Sequence, residues 1–424
     1  MKYMRKLLPT LLTLVASLTL TAQSGQLYYI TAERVFDGEQ MHTGWAVLVK
    51  EDQILAAGPA AGIQVPAGAI RVDKPNSTLL PGLIEGHAHL LLYPYNIKSW
   101  DDQVTKETDA YRTIRATTHA WKTLQAGFTT VRDLGSEGAG YADVALKKAV
   151  DDGVIPGPRL LVAGRAIVAT GSYGPKGFDS DSKIMLGAEE ADGNEVIRVT
   201  RDQMGQGADI IKIYADYRYG PKGETRETFS LEEIQLMART AGSGGRPLVA
   251  HASSVTGMQR AILGGAETIE HGDALDEETA LLMKKHKVVF YPTLAAGESI
   301  SRYRGWQKGK TPEPARITEK KKNFRIAMAS GVTIGMGGDV GVYAHGDNAL
   351  EMELMVEYGM KPIDVLKAAT SVNARAFHLE GLTGSIRPGL KADLILVTGD
   401  PSHNISDCRK VKWVMKDGVV YRND

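Results

Sequence analysis

One cysteine, Cys408, stands in 424 residues. A single thiol cannot close an internal disulfide, and it excludes zinc sites built from several thiolates. Net charge is also missing, because 50 Lys and Arg balance 50 Asp and Glu. A chain without a basic surplus lacks the electrostatic footprint of a nucleic-acid binder. Beyond the N-terminal region no apolar run reaches the roughly 20 residues that a membrane-spanning helix needs. What remains, 43% hydrophobic and 24% charged residues, is ordinary globular composition and excludes wholesale disorder.

The start of the chain is different. Lys2, Arg5 and Lys6 precede an apolar run from Leu7 to Leu20, followed by Thr21 and Ala22. A positive start, a short apolar stretch and a small-residue end read as a secretory signal over residues 1–22, cleaved after Ala22. The expectation is an exported protein, periplasmic or secreted, with no membrane attachment after cleavage. One lone cysteine suits such a compartment.

Both ends of the mature chain read as short strands split by turns, for example Leu27–Ile30, Trp45–Val49, Ala392–Val397 and Val411–Met415. The middle alternates apolar runs with amphipathic stretches. Its candidate strands are Leu83–Leu90, Thr129–Asp133, Leu160–Ala163, Ile210–Tyr214, Leu248–His251, Thr268–His271, Val288–Pro292 and Thr333–Met336. Helices are expected at Tyr111–Gln125, from Ser230 (with Glu233 as a capping box) to Ala241, at Ile317–Ala329, and from Pro362 through Ala376. Eight strand–helix units predict an α/β fold, a TIM (β/α)8 barrel over residues 81–380. A small β-sandwich domain is expected from residues 23–80 and 381–424. The stretch Gly297–Arg316 lacks strong periodicity and reads as a long loop, with a lid as its expected role.

In a parallel barrel the chemistry sits at the C-terminal ends of the strands. His87 and His89 end the first run, and two residues apart on a strand they face the same way. Lys212 lies inside an apolar run, His251 ends the fifth run and His271 the sixth. Asp339 follows the eighth. Each has a plainer use when taken singly: a hydrogen-bonded core histidine, a snorkelling lysine, a turn aspartate. Together at strand ends they suit zinc or a similar first-row ion. Tyr214, two residues after Lys212, faces the same side, where its hydroxyl is placed to donate to a developing oxyanion. Aromatic loop residues, Tyr93, Tyr95, Tyr173, Tyr217, Tyr303, Trp306 and Tyr343 among them, predict an aromatic-lined cleft. Arg218 and His345 are candidates for binding a substrate carboxylate.

The run Pro81-Gly82-Leu83-Ile84-Glu85-Gly86-His87-Ala88-His89 resembles the opening signature of the amidohydrolase superfamily. Gly127-Phe128-Thr129-Thr130-Val131-Arg132-Asp133, Ile269-Glu270-His271-Gly272, the Asp339 segment, Ala368–Ala374 and Gly384–Leu394 resemble its later motifs. The resemblance spans nearly the whole mature chain. It implies two divalent metal ions, with zinc the default: His87, His89 and Asp339 on the first, His251 and His271 on the second. Lys212, carboxylated by carbon dioxide, would bridge them as N6-carboxylysine, and Asp339 would move the proton for a bridging hydroxide. Within the superfamily the chain resembles Xaa-Pro dipeptidases and ochratoxinase-like amidohydrolases. That implies a hydrolase of small N-acyl amino acids or dipeptides, the ochratoxin A amide bond included, and a homo-oligomer, with an octamer among the assemblies implied. One departure stands out: Thr170-Gly171-Ser172-Tyr173 occupies the place of the Thr-Gly-Gly-His found in many such dipeptidases. A lactone or phosphoester hydrolase on the same centre, and a non-catalytic barrel, are the alternative readings. A deaminase would need no bridging lysine, and Lys212 opposes it.

Overall fold

The computed structural model of the chain describes residues 26–424 apart from Ser180, Lys183 and Met185. The signal expected over residues 1–22 lies outside the described residues. Strands β1 (Leu27–Phe36), β2 (Met41–Thr43), β3 (Trp45–Lys50), β4 (Gln53–Pro59) and β5 (Ile70–Pro81) come first. The middle holds β6 (Leu83–Ala88), β7 (Phe128–Asp133), β8 (Arg159–Val162), β9 (Ile167–Val168), β10 (Glu189–Glu190), β11 (Ile211–Tyr214), β12 (Asp216–Tyr217) and β13 (Arg226–Glu227). It continues with β14 (Leu248–Ala252), β15 (Thr268–His271) and β16 (Val289–Tyr291), and the chain closes with β17 (Leu394–Thr398), β18 (Val411–Lys416) and β19 (Val419–Asn423).

The two ends of the chain build one eight-stranded sheet in the order β19-β18-β17-β5-β1-β3-β4, with β2 on β1. The long strand β5 makes this possible. It pairs parallel with β1 through Ile70–Leu79 and antiparallel with β17 through Ser77–Pro81. The small β domain is thus hydrogen-bonded as one sheet rather than the two expected of a sandwich, because β5 is long enough to serve both halves. Alternate residues of its strands (Ile30, Val47, Val49, Leu394, Leu396, Trp413) meet in one apolar core, as a period of two requires.

The middle is a barrel-type α/β assembly. Strands β6-β7-β8 are parallel neighbours, and so are β9-β11-β14-β15-β16. Between β8 and β11, the Asp209 N–H donates to the Val162 carbonyl (2.8 Å) and the Asp209 carboxylate accepts from the Val162 N–H (3.0 Å). The eighth run, Thr333–Met336, is not a regular strand, but its backbone is held on both sides. Phe290 N–H donates to Thr333 (2.9 Å), and Gly86 N–H donates to Met336 (3.1 Å). Glycine at 86 permits that approach, since a Cβ there would lie 2.5 Å from the Met336 carbonyl oxygen.

Helices fall between the strands near their expected places, at Asp109–Gln125, Leu231–Ser243 and Ala315–Ser330. The Ser230–Glu233 capping box is formed in both directions. The helix from Pro362 stops at Lys367 and continues as a wider turn over Ala368–Val372 and a last helical turn at Asn373–Ala376. Residues 297–316 differ from expectation: the first seven belong to a helix, Leu294–Tyr303, and the next helix starts at Ala315. No local cap announces the first of these. The distant Glu351 carboxylate accepts from the N–H groups of Leu294 (3.0 Å) and Ala295 (2.7 Å) instead. Among the described residues no helix is long and apolar enough to cross a membrane.

Barrel and sheet are joined through Asp393. Its buried carboxylate accepts from Arg159 at the start of β8 (2.6 Å), from Thr383 (2.8 Å) and from the Asp417 N–H (2.9 Å). Removing one partner of a buried ion pair strands the other charge, at a cost of about 3 kcal/mol or more. Asp393→Ala is therefore expected to lower the unfolding free energy by about that amount, read as a lower denaturation midpoint at unchanged slope, and an unchanged midpoint would contradict the assignment.

Candidate metal centre

The strand ends deliver their side chains to one cavity of about 620 Å³. His89, His251, His271 and Asp339 line it, while His87 and Lys212 are almost fully buried beside it. His87 Nε2 lies 3.7 Å and His89 Nε2 3.5 Å from Asp339 Oδ1. His87, His271 and Asp339 each offer a donor atom within 4.8 Å of the others. The His251 and His271 rings are 4.4 Å apart, and Tyr214 stacks on His251 at 4.6 Å. The sequence-derived ligands are therefore brought to one place.

The far sides of the rings are anchored. His87 Nδ1 donates to Glu270 Oε2 at 2.8 Å, which fixes its tautomer and leaves the Nε2 lone pair free. That Nε2 is buried and has no partner among the described residues. An orphaned buried nitrogen is costly unless something else fills the role. His89 Nδ1 donates to the Gly135 carbonyl (3.0 Å), and His271 Nδ1 pairs with the Thr293 hydroxyl (2.8 Å). Burial and the nearby Lys212 cation hold His87 well below the usual imidazole range and His251 at about 3. Neutral imidazoles are the form that binds metal. Burial also draws the Lys212 ammonium downward. The donor set, the orphaned nitrogen and the fixed tautomers fit divalent ions.

Anchoring residues that sequence reasoning missed lie next to the motif residues. Glu270 also accepts from Arg132 (2.7 Å) and Thr268 (2.5 Å), and the Arg132 guanidinium lies against both the Tyr291 and Phe377 rings, 4.4 and 4.5 Å from their centres. Glu85 accepts from the N–H groups of His87 (3.0 Å) and Gly338 (2.9 Å) and from Asn348 (2.9 Å), tying β6 to the Asp339 turn. The least expected residue is Glu137, just after β7. Its Oε2 accepts from Tyr173 (2.6 Å) and Trp100 (2.8 Å), and its Oε1 from Tyr214 (3.2 Å). The Tyr214 hydroxyl is thus engaged with Glu137 rather than free to meet an oxyanion. Glu137, His271, Thr293 and Asp339 all line the cavity and all hold left-handed φ values of 49–75°. Strained non-glycine backbone of this kind collects at functional sites.

The aromatic lining is narrower than expected. Tyr95, Tyr173, Tyr214 and Tyr217 reach the cavity, as do Arg218, Arg304 and Arg316. Tyr343 and Trp306 are buried elsewhere, and Tyr93 packs against His119. His345 does not line the cavity, contrary to expectation. Its ring stacks on His119 at 4.2 Å and its Nε2 pairs with the Leu92 carbonyl, because the segment folds down onto the helix Asp109–Gln125.

The amidohydrolase family model matches residues 78–421, most of the chain and all of these motifs. The chain belongs to the amidohydrolase family. It is similar to ochratoxinase of Aspergillus niger, with 29% identity over 91% of this chain and 84% of that one. Among solved structures it is similar to a Xaa-Pro dipeptidase with methionine bound in its active site (30% identity, TM-score 0.84, 94% of this chain and 100% of that chain). It is also similar to the A. niger ochratoxinase structure (26% identity, TM-score 0.80, 95% and 96%). These neighbours share a TIM barrel with an added small domain, and this amidohydrolase is a hydrolytic enzyme of that architecture.

Proposed function

We propose that this amidohydrolase cleaves small amides that end in a carboxylate, dipeptides and N-acyl amino acids, on a closed barrel carrying a binuclear metal centre. The observation that carries this reading is the convergence of four histidines, Lys212 and Asp339 in and beside one cavity, with His87 Nε2 buried and without a partner among the described residues. His87, His89 and Asp339 would hold one ion, His251 and His271 the other, and a carboxylated Lys212 would serve both. Bound divalent ions would polarise the scissile carbonyl and make water a nucleophile near neutral pH.

The residues around them do the rest. Asp339 takes a proton from the attacking water and gives it to the leaving amine nitrogen, within reach of the His87 and His89 rings. The guanidiniums of Arg218 and Arg304, with Arg316 already facing Asp273 (3.4 Å), line the cavity and suit a substrate carboxylate, which a planar fork can grip. The tyrosines exclude water from the reacting bond. The similarity to ochratoxinase and to a Xaa-Pro dipeptidase supports an amide as the bond.

Metal analysis of purified protein, coupled to rates on a Xaa-Pro dipeptide, an N-acyl phenylalanine and a lactone, tests this. About two ions per chain are expected. Chelation should lower amide hydrolysis by about 10²-fold or more, and zinc should restore it. Amide cleavage untouched by chelation, or cleavage of the lactone alone, would overturn the proposal.

A further inference from the structure

We infer that Glu137 is a specificity residue that receives the free α-ammonium group of a dipeptide, so that substrates with a free N-terminus are preferred over N-acyl amino acids. The inference rests on the amide-hydrolase reading above and narrows its substrate class.

Three observations carry it. First, Glu137 is 3% exposed and lines the cavity. Its carboxylate is bound by neutral hydroxyl and indole donors, while the Arg112 guanidinium is bound to its backbone carbonyl (2.8 Å) rather than to the carboxylate. Second, its acceptor capacity is not exhausted. A carboxylate offers about four lone-pair sites, and among the described residues three donors occupy this one. Oε2 takes Tyr173 and Trp100, while Oε1 carries only the longer bond from Tyr214. Third, its surroundings are those that bind ammonium ions. Tyr173 lies 4.5 Å from Tyr214 and 4.9 Å from Tyr217, ring to ring, and all three line the cavity with Tyr95. Tyrosine faces beside a carboxylate attract a desolvated ammonium through both ring quadrupole and charge.

The position also matches the bond to be cut. The α-nitrogen of a dipeptide is about 2.5 Å from its own carbonyl carbon. A carboxylate that recognises it must therefore lie close to the reacting centre. Glu137 Oε1 is 3.9 Å from His89 Nδ1, and the opposite nitrogen of that ring faces Asp339 at 3.5 Å. One imidazole thus separates Glu137 from the proton-transfer group. Arg218, Arg304 and Arg316 line the same cavity, so a zwitterion's carboxylate has cationic partners there distinct from Glu137.

The plainer role for Glu137 is to anchor three aromatic side chains. Calorimetric binding separates the two, and it needs no turnover if the full chain carries Asp339→Asn. The probes are Ala-Phe, Ala-Pro and Ala-Leu, with their N-acetyl and N-propionyl counterparts (the latter being Phe, Pro or Leu carrying a propionyl group in place of alanine). At least one free dipeptide is expected to bind about 10²-fold more tightly than its two partners that lack the ammonium group. Adding Glu137→Gln should erase that ratio while leaving the N-acylated compounds within about threefold. Equal affinity for free and capped compounds, no binding of any free dipeptide, or an equal loss for all compounds in the variant would overturn the inference. If the variant does not fold, the ratio in the Glu137 protein decides alone. Because binding is read without hydrolysis, a failure of the amide-hydrolase reading would show separately, as absent turnover in the wild-type chain.

Discussion

Asp339→Asn is expected to lower kcat/KM for the best amide substrate by about 10³–10⁴-fold, while the protein stays folded. The upper part of that range is what a positioned proton-transfer group contributes. Asparagine keeps the size and one carbonyl oxygen but cannot accept a proton from water. The turn that carries residue 339 is held by other groups: Asp339 N–H donates to the His87 carbonyl (2.8 Å), and Gly338 N–H donates to Glu85 (2.9 Å). The substitution should therefore leave the backbone in place. Two readouts divide the roles of the carboxylate. If it only holds metal, the variant should lose metal in proportion to activity. If it moves the proton, metal-replete variant protein should remain slow, with kcat lowered far more than KM is raised. A metal-replete variant within about tenfold of wild-type kcat would remove Asp339 from the proton-transfer role.

The architecture was legible because two periodicities differ. Runs such as Ile210–Tyr214 and Thr268–His271 are short, apolar and bounded by turn residues, and they match β11 and β15 to within a residue. Helix starts with their own side-chain caps, such as Ser230, were equally readable. Helix Leu294–Tyr303 was not, because its N-terminus is satisfied by Glu351 from more than fifty positions away. The single sheet of the small domain was hidden for a related reason. Which strand β5 pairs with depends on its length and on β17, neither of which is a local property.

The site divides along the same line. Histidines in a motif announce themselves, but the groups that orient them do not. Glu270 and Glu85 are visible only as neighbours of motif residues, and their roles depend on Arg132 and on the Gly338 turn reaching them from other strands. Glu137 sits in Gly135-Ser136-Glu137-Gly138, a segment that reads as a plain turn. Its one sequence-level signal is position, since it falls just past the C-terminal end of β7. His345 shows the opposite error. A histidine near Asp339 in sequence was credited with the cavity, although the chain turns it onto His119.

Lys212→Ala should remove activity by about 10³-fold or more, and short carboxylic acids should restore part of it. The side chain is 1% exposed within β11. Burial of an ammonium without a close anion is costly, and burial here pulls Lys212 toward its neutral amine. A neutral amine that adds carbon dioxide and releases a proton becomes a carbamate, which would offer anionic oxygens to bound metal where an ammonium offers none. Nζ lies 5.6 Å from the Tyr214 ring, which stacks on His251, and His251, His271, His87 and His89 are ring neighbours in turn. Alanine leaves a hole the size of the lost chain. Formate, acetate or propionate should enter it and replace the missing carboxylate, raising the variant's rate at least tenfold at high concentration without affecting wild type. Refolding or metal loading of wild-type protein should likewise depend on bicarbonate, and an added mass of 44 Da on Lys212 is the direct chemical readout. A variant that retains full metal content and activity would show that Lys212 is only a packed strand residue. A variant that loses activity but is restored by no carboxylic acid, together with an unmodified wild-type lysine, would exclude the carbamate and leave the lysine as a structural cation.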